Sequence, residues 1–181
     1  MAKRRAEAKR LLADAGFGPD RPLAFEYVHM TGHDARRAII SEVALLKDCG
    51  IVARSLANEP KVHYAMFHQL DFSFAKSAWR ADYNDPVTFL GLLDSRAGAF
   101  NSGGYANPAF DALLDRAKTT LDLGKRAEIL AEAEQLALND DAMIPVMYMV
   151  AKELSAPYVK GFAENAANMH PSRWMWIEGR P

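Results

Sequence analysis

Between residues 23 and 56 the sequence passes from a strand pattern to a helix pattern and back, and this order restricts the fold more than any other feature. Residues 23–29 carry β-branched or aromatic side chains among their alternating positions. Ile39, Val43 and Leu46 then make an apolar stripe at helical spacing, with Ile40 and Ala44 beside it and Gly50 at its end. Residues 51–56 return to strand patterning. Two strands joined by a helix within about 35 residues are expected to run parallel, as a βαβ unit. The chain is therefore expected to be α/β.

The flanking segments extend this picture. Ala8, Leu11, Leu12 and Ala15 fall at i, i+3, i+4 and i+7 ahead of Gly16, which predicts an N-terminal helix. Its other face carries Lys3, Arg4, Arg5, Lys9 and Arg10 and reads as solvated surface. A short helix is expected near residues 61–69 and a strand over 71–79. Asn107 can cap a helix over 108–118, with Pro108 in its first position. Another helix is expected over 123–139 with Ile129, Ala133 and Leu136 inward. Residues 143–150 read as a buried strand and 174–177 as a short final one. The sheet is expected to be mixed. Two connections, 80–107 and 157–173, are longer than ordinary loops, which points to function or to packing against something else.

Composition excludes several classes. Lys+Arg and Asp+Glu number 22 and 23, so no charge bias favours nucleic acid. The longest apolar run, residues 142–151, contains Pro145 and is half the roughly 20 residues that a membrane span needs. The single cysteine, Cys49, permits neither an intrachain disulfide nor a cysteine zinc cluster, and it reads as a buried thiol. The N-terminus has no apolar stretch of the export-signal kind.

No nucleophile elbow, phosphate loop or dinucleotide fingerprint is present, so no enzyme activity and no cofactor are expected. Gly103-Gly104 reads as a turn. His29 and His33, and likewise His63 and His68, do not share one helical face, and His170 is isolated. These read as surface or capping histidines, with no metal site. The carboxylates Asp82 and Asp85 stand three apart beside Trp79. They can be turn and capping residues, an acid–base pair, or part of a binding site. A large ring next to a carboxylate suits a cation or a primary amine.

The segment DFSFAKSAWRADYNDPVTFL, residues 71–90, resembles the signature region of the family 5 extracellular solute-binding proteins, the peptide receptors of ABC importers. KRRAEAKRLLADAGF, PLAFEYVHMTGHDARRAIISEVALLKDCGI, FNSGGYANPAFDALLDRA, IPVMYMV and SRWMWIE resemble further family segments in collinear order. The resemblance covers nearly the whole chain and implies a periplasmic-binding-protein type II-like lobe. Since family members are about three times longer, it implies the C-terminal portion of a periplasmic receptor. Residues 1–160 would form a second-lobe domain and 161–181 a return toward an N-terminal lobe.

The resemblance also implies roles. Asp82 matches the acidic residue that pairs with the α-ammonium of a peptide, and Trp79 and Tyr83 match their family counterparts. Lys76 stands where some members have an arginine that meets the ligand carboxylate, and Lys lacks its bidentate geometry. Asp34 stands near where some members have a histidine in the same role. Both depart from carboxylate capture. Arg80 replaces a disulfide cysteine of some members. The implied function is capture of extended peptides by their termini and backbone, with ABC permease subunits as partners. Alternatives are another solute (a nickel chelate or an oligosaccharide) and a cytosolic α/β domain with no ligand. A fragment lacking its first lobe is expected to bind peptide poorly and to self-associate.

Overall fold

The computed structural model describes residues 2–150, 152–165 and 167–179, without the side chains of residues 33–35. The chain divides into two compact units, Met1–Ala78 and Trp79–Pro181.

The first unit opens with helix α1, Ala2–Asp14. It ends as expected: Gly16 takes φ 82°, and the Phe17 amide returns to the Leu12 carbonyl at 2.9 Å. No residue of α1 is fully buried, and Leu11 of the expected stripe is exposed. Strand β1 (Ala24–Met30), helix α2 (His33–Asp48), strand β2 (Val52–Asn58), helix α3 (Pro60–Gln69) and strand β3 (Phe74–Ala75) follow. The sheet order is β2-β1-β3, and both pairings are parallel.

Alternation along β1 puts Phe25 and Tyr27 on one face, where the Phe74 ring meets both at 4.8 and 4.9 Å. Ile39, Val43 and Leu46 of α2 close over this face, together with Ala53. Ile39 is almost wholly buried, which stabilises the unit by roughly 1.5–3 kcal/mol. Helix α3 buries His63 and Phe67, with ring centroids 4.4 Å apart.

The second unit centres on α5 (Pro108–Thr119) and α6 (Leu123–Asn139). Asn107 caps α5 by accepting from the Ala109 and Phe110 amides, and Asp122 caps α6 through the Lys125 amide. Phe110, Leu113, Leu114 and Ala117 pack against Leu130, Ala133 and Ala137, with Leu90 and Leu93. Ile129 and Leu136 are half-buried at the margin, so the stripe of α6 is rotated slightly from its expected centre. Strands β4 (Val159–Lys160) and β5 (Trp176–Ile177) pair antiparallel. Gly161, at φ 77°, is required beside them, because a Cβ there would lie 1.9 Å from the Trp174 carbonyl oxygen.

Several expectations need correction. Residues 143–150 form no strand: they run without secondary structure, and Met147, Tyr148, Met149 and Val150 are exposed. Hydrophobicity promised burial, but these residues bury against nothing within the described chain. The strand expected over 71–79 shrinks to two residues, Phe74 and Ala75, the only ones that pair with β1 among the described residues. The final strand covers only 176–177. The connection 80–107 contains helix α4 (Val87–Leu90) and two 3-10 turns, and the connection 157–173 contains β4. His29 and His63 are buried rather than superficial. His170 stacks on Phe162, and its Nε2 lies 2.9 Å from the Asn168 side-chain oxygen.

Candidate ligand-binding site

The loop of residues 79–86, ahead of α4, is tied down at two points. The first is the hydroxyl of Thr88, a buried side chain on α4. Its oxygen accepts from the Asp82 amide at 3.1 Å and from the Trp79 indole N–H at 3.4 Å. The second is Asp85. Its Oδ1 accepts from the Val87 amide at 2.9 Å, and both carboxylate oxygens receive the Arg126 guanidinium of α6, at 2.5 and 3.0 Å. Hydrogen bonds from Arg126 hold the Asp85 carboxyl below the usual carboxylate range, against a smaller opposing effect of burial.

The two carboxylates that looked equivalent in sequence are thereby separated. Asp85 is consumed by the fold. Asp82 is exposed, and no hydrogen bond or ion pair among the described residues uses its carboxylate. Around it the loop carries exposed aromatic surface: Trp79 meets Phe100 edge to face at 6.2 Å, and Tyr83 is more than half exposed. Because Asp85 neutralises Arg126, the free negative charge of Asp82 is left to attract a cation. Trp79, Asp82 and Tyr83 thus lie on one anchored loop.

Lys76 and Asp34 belong to the first unit. Asp34 lies in the first turn of α2, and its side chain is outside the described residues. Lys76 follows β3, its amide donating to the Val28 carbonyl at 2.8 Å. Its ammonium is ion-paired with Glu42 of α2. The second Glu42 oxygen accepts from the Tyr27 hydroxyl at 2.6 Å. Burial alone would raise the Glu42 carboxyl, but hydrogen bonds from Lys76 and Tyr27 outweigh it and hold the group low. Burial, and then the Glu42 contact, push the Tyr27 phenol up.

Nearby, His29 is buried in β1 with Nδ1 2.9 Å from the Met30 carbonyl and Nε2 2.8 Å from the Ser55 hydroxyl. His63 is buried with no hydrogen-bond partner for either ring nitrogen among the described residues. Burial pushes its pKa down; the Lys76 backbone opposes this and His29 adds to it. Sequence reasoning missed Glu42, Thr88 and Arg126. Each acts through a partner distant in sequence or through a hydroxyl that carries no motif. No group of three metal-binding side chains comes together among the described residues, and no helix there is long and apolar enough to cross a membrane.

No family model matches the chain. It is 36% identical over 161 residues to the periplasmic oligopeptide-binding protein OppA of Salmonella typhimurium, covering 88% of this chain and 30% of that protein. The crystal structure of Haemophilus influenzae OppA in complex with the peptide RPPGFSPFR superposes with a TM-score of 0.86 at 27% identity, over 97% of this chain and 35% of that one. The structure of Burkholderia pseudomallei OppA gives 0.84 at 33% identity, over 98% and 35%. The chain therefore spans about a third of the length of these three relatives.

Proposed function

We propose that this chain, which belongs to the family 5 extracellular solute-binding proteins over the segment it spans, supplies the amine-recognition part of a peptide receptor serving an ABC importer. The observation that carries the reading is the unused Asp82 carboxylate on a loop anchored by Thr88 and Asp85, beside the exposed ring of Trp79. A receptor that accepts many peptides must draw affinity from what all peptides share, their termini and backbone. An ammonium leaving water needs a compensating carboxylate, and Asp82 is available to be one. Trp79 and Tyr83 would flank the amine with aromatic surface. No bond is broken, so no catalytic group is called for.

In the first unit the commitment of Lys76 to Glu42 supports a reading in which the ligand carboxylate is not held by a free cation there. Lys76 and Asp34 would shape that region rather than clamp a terminus. The full-length receptor would work in the periplasm, with a further lobe closing on the ligand and with permease subunits as partners. The test is Asp82→Asn in the full-length receptor, titrated with a free peptide and its N-acetylated form. Removing one member of a desolvated charge pair costs about 2–5 kcal/mol, so free-peptide affinity should fall roughly 30- to several-thousand-fold. The acetylated peptide should bind weakly and ignore the substitution. Equal losses for both peptides, or none, would return Asp82 to a turn role.

A further inference from the structure

We propose that Thr88 is the positioning residue of this amine site: one buried hydroxyl oxygen holds both the Trp79 ring and the Asp82 backbone in place. The inference rests on the amine-anchor reading of Asp82. A threonine oxygen has two lone pairs, and here both are engaged from the same loop, by the Asp82 amide at 3.1 Å and the Trp79 indole at 3.4 Å. These are the two residues between which an ammonium would sit, one supplying charge and the other a π-face. Neither has another hydrogen bond from those groups among the described residues. Without the oxygen, the indole keeps only its edge-to-face packing on Phe100 to orient it, and the Asp82 amide loses its partner.

Thr88 itself cannot reach solvent or ligand readily, being only 6% exposed. Its α4 position is secured independently: its own amide donates to the Asp85 carbonyl at 3.2 Å, and Asp85 is clamped by Arg126. The hydroxyl is thus presented from a fixed support toward residues 79–82 of the loop, while Asp85 holds the loop's far end. A binding group held within a few tenths of an ångström needs such a supporting contact, because misplacement of a charge pair forfeits much of its value.

The 181-residue chain itself can be used. Three tryptophans give three indole N–H signals in a proton–nitrogen correlation spectrum, and Trp79→Phe assigns the one of interest. Trialanine and N-acetyl-trialanine serve as probes, titrated to millimolar concentration. In Thr88→Val the Trp79 indole signal should shift toward its solvent-exposed position. The preference for the free amine should shrink at least fivefold, and Thr88→Ser should restore both. Retention of the native indole signal and of the amine preference in Thr88→Val overturns the proposal. If Asp82→Asn removes the preference while Thr88→Val does not, the positioning role falls and the amine anchor stands. If the native chain shows no preference, the same two probes are titrated against the full-length receptor and its Thr88→Val form, and absence of a preference in the full-length receptor overturns the anchor reading and this proposal with it. Should Thr88→Val lose the native spectrum altogether, Thr88→Ala relieves any crowding. Loss of the fold there as well would make the hydroxyl a fold determinant and overturn the positioning role.

Discussion

Glu42 offers the sharpest test of the energetics inside the first unit. Its side chain is 14% exposed and that of Lys76 21%, so the ion pair lies largely out of water, with the Tyr27 hydroxyl on the remaining oxygen. Glu42→Gln keeps the shape, removes the charge, and leaves a half-buried ammonium facing an amide. Stranding one member of a fully buried pair costs about 3–5 kcal/mol; the residual solvent access here lowers the expectation to roughly 2–3 kcal/mol. Hydrogen exchange of the β1 and β2 amides reads the opening of this unit by itself, and protection should drop about 30- to 150-fold. Adding Lys76→Met should recover part of that loss, since the stranded charge is gone.

The sign with pH is also determined. A carboxyl held below its ordinary value stabilises the fold above about pH 4.5, and that contribution fades as pH falls through the lowered value. Glu42→Gln should remove this acid limb. A protection loss of less than about fivefold, with the acid limb intact, would mean that the pair is solvated and the reasoning is wrong.

Three other outcomes are expected. Because burial lowers the His63 pKa, the unfolded chain takes up a proton more readily, so stability should decline as pH falls below about 6.5. His63→Phe should flatten that decline in urea titrations at pH 7.5 and 5.5, and parallel profiles would contradict it. Asn107→Ala removes the α5 cap and the 2.7 Å bond to Asp140, and should cost about 1–2 kcal/mol by thermal melting. A loss under about 0.3 kcal/mol would show that water replaces the cap. The exposed apolar residues 143–150 should make the chain self-associate as its concentration rises, with Met149→Lys weakening the association. Sedimentation of a clean monomer at high concentration would count against this.

What was legible in the sequence follows from what is local. The start of α5 was readable because Asn107 caps it through bonds to amides two and three residues away and Pro108 fits its first position, and α6 was readable from its apolar period. The β1–α2–β2 unit was readable because its apolar stripe repeats at the period of the helix that buries it. Residues 143–150 misled for the opposite reason. An apolar run reports a tendency to be covered, and says nothing of whether the cover lies within the same chain. The site shows the same division. Trp79, Asp82 and Tyr83 could be picked out through the family resemblance, but that Asp85 is spent on the fold depends on Arg126, 41 residues away from it. Glu42 looked like one more polar position on α2 until Lys76, 34 residues later, arrived beside it. His63 carries no sign in its neighbours that both ring nitrogens would be shut away from water.

The order β2-β1-β3 places β1 in the middle of its sheet. As the first unit folds, β1 presents two edges, and β2, joined to it through α2, can cover one of them. The other edge waits for Phe74, 44 residues beyond Met30 in sequence, so that closure carries the larger loop entropy. Until it forms, Phe25 and Tyr27 lack the ring that packs on them, and an uncovered strand edge lies next to an aromatic surface. The pairing that closes this edge is only two residues long. Refolding of the first unit should therefore lag behind that of the helical pair α5–α6, whose partners are adjacent in sequence.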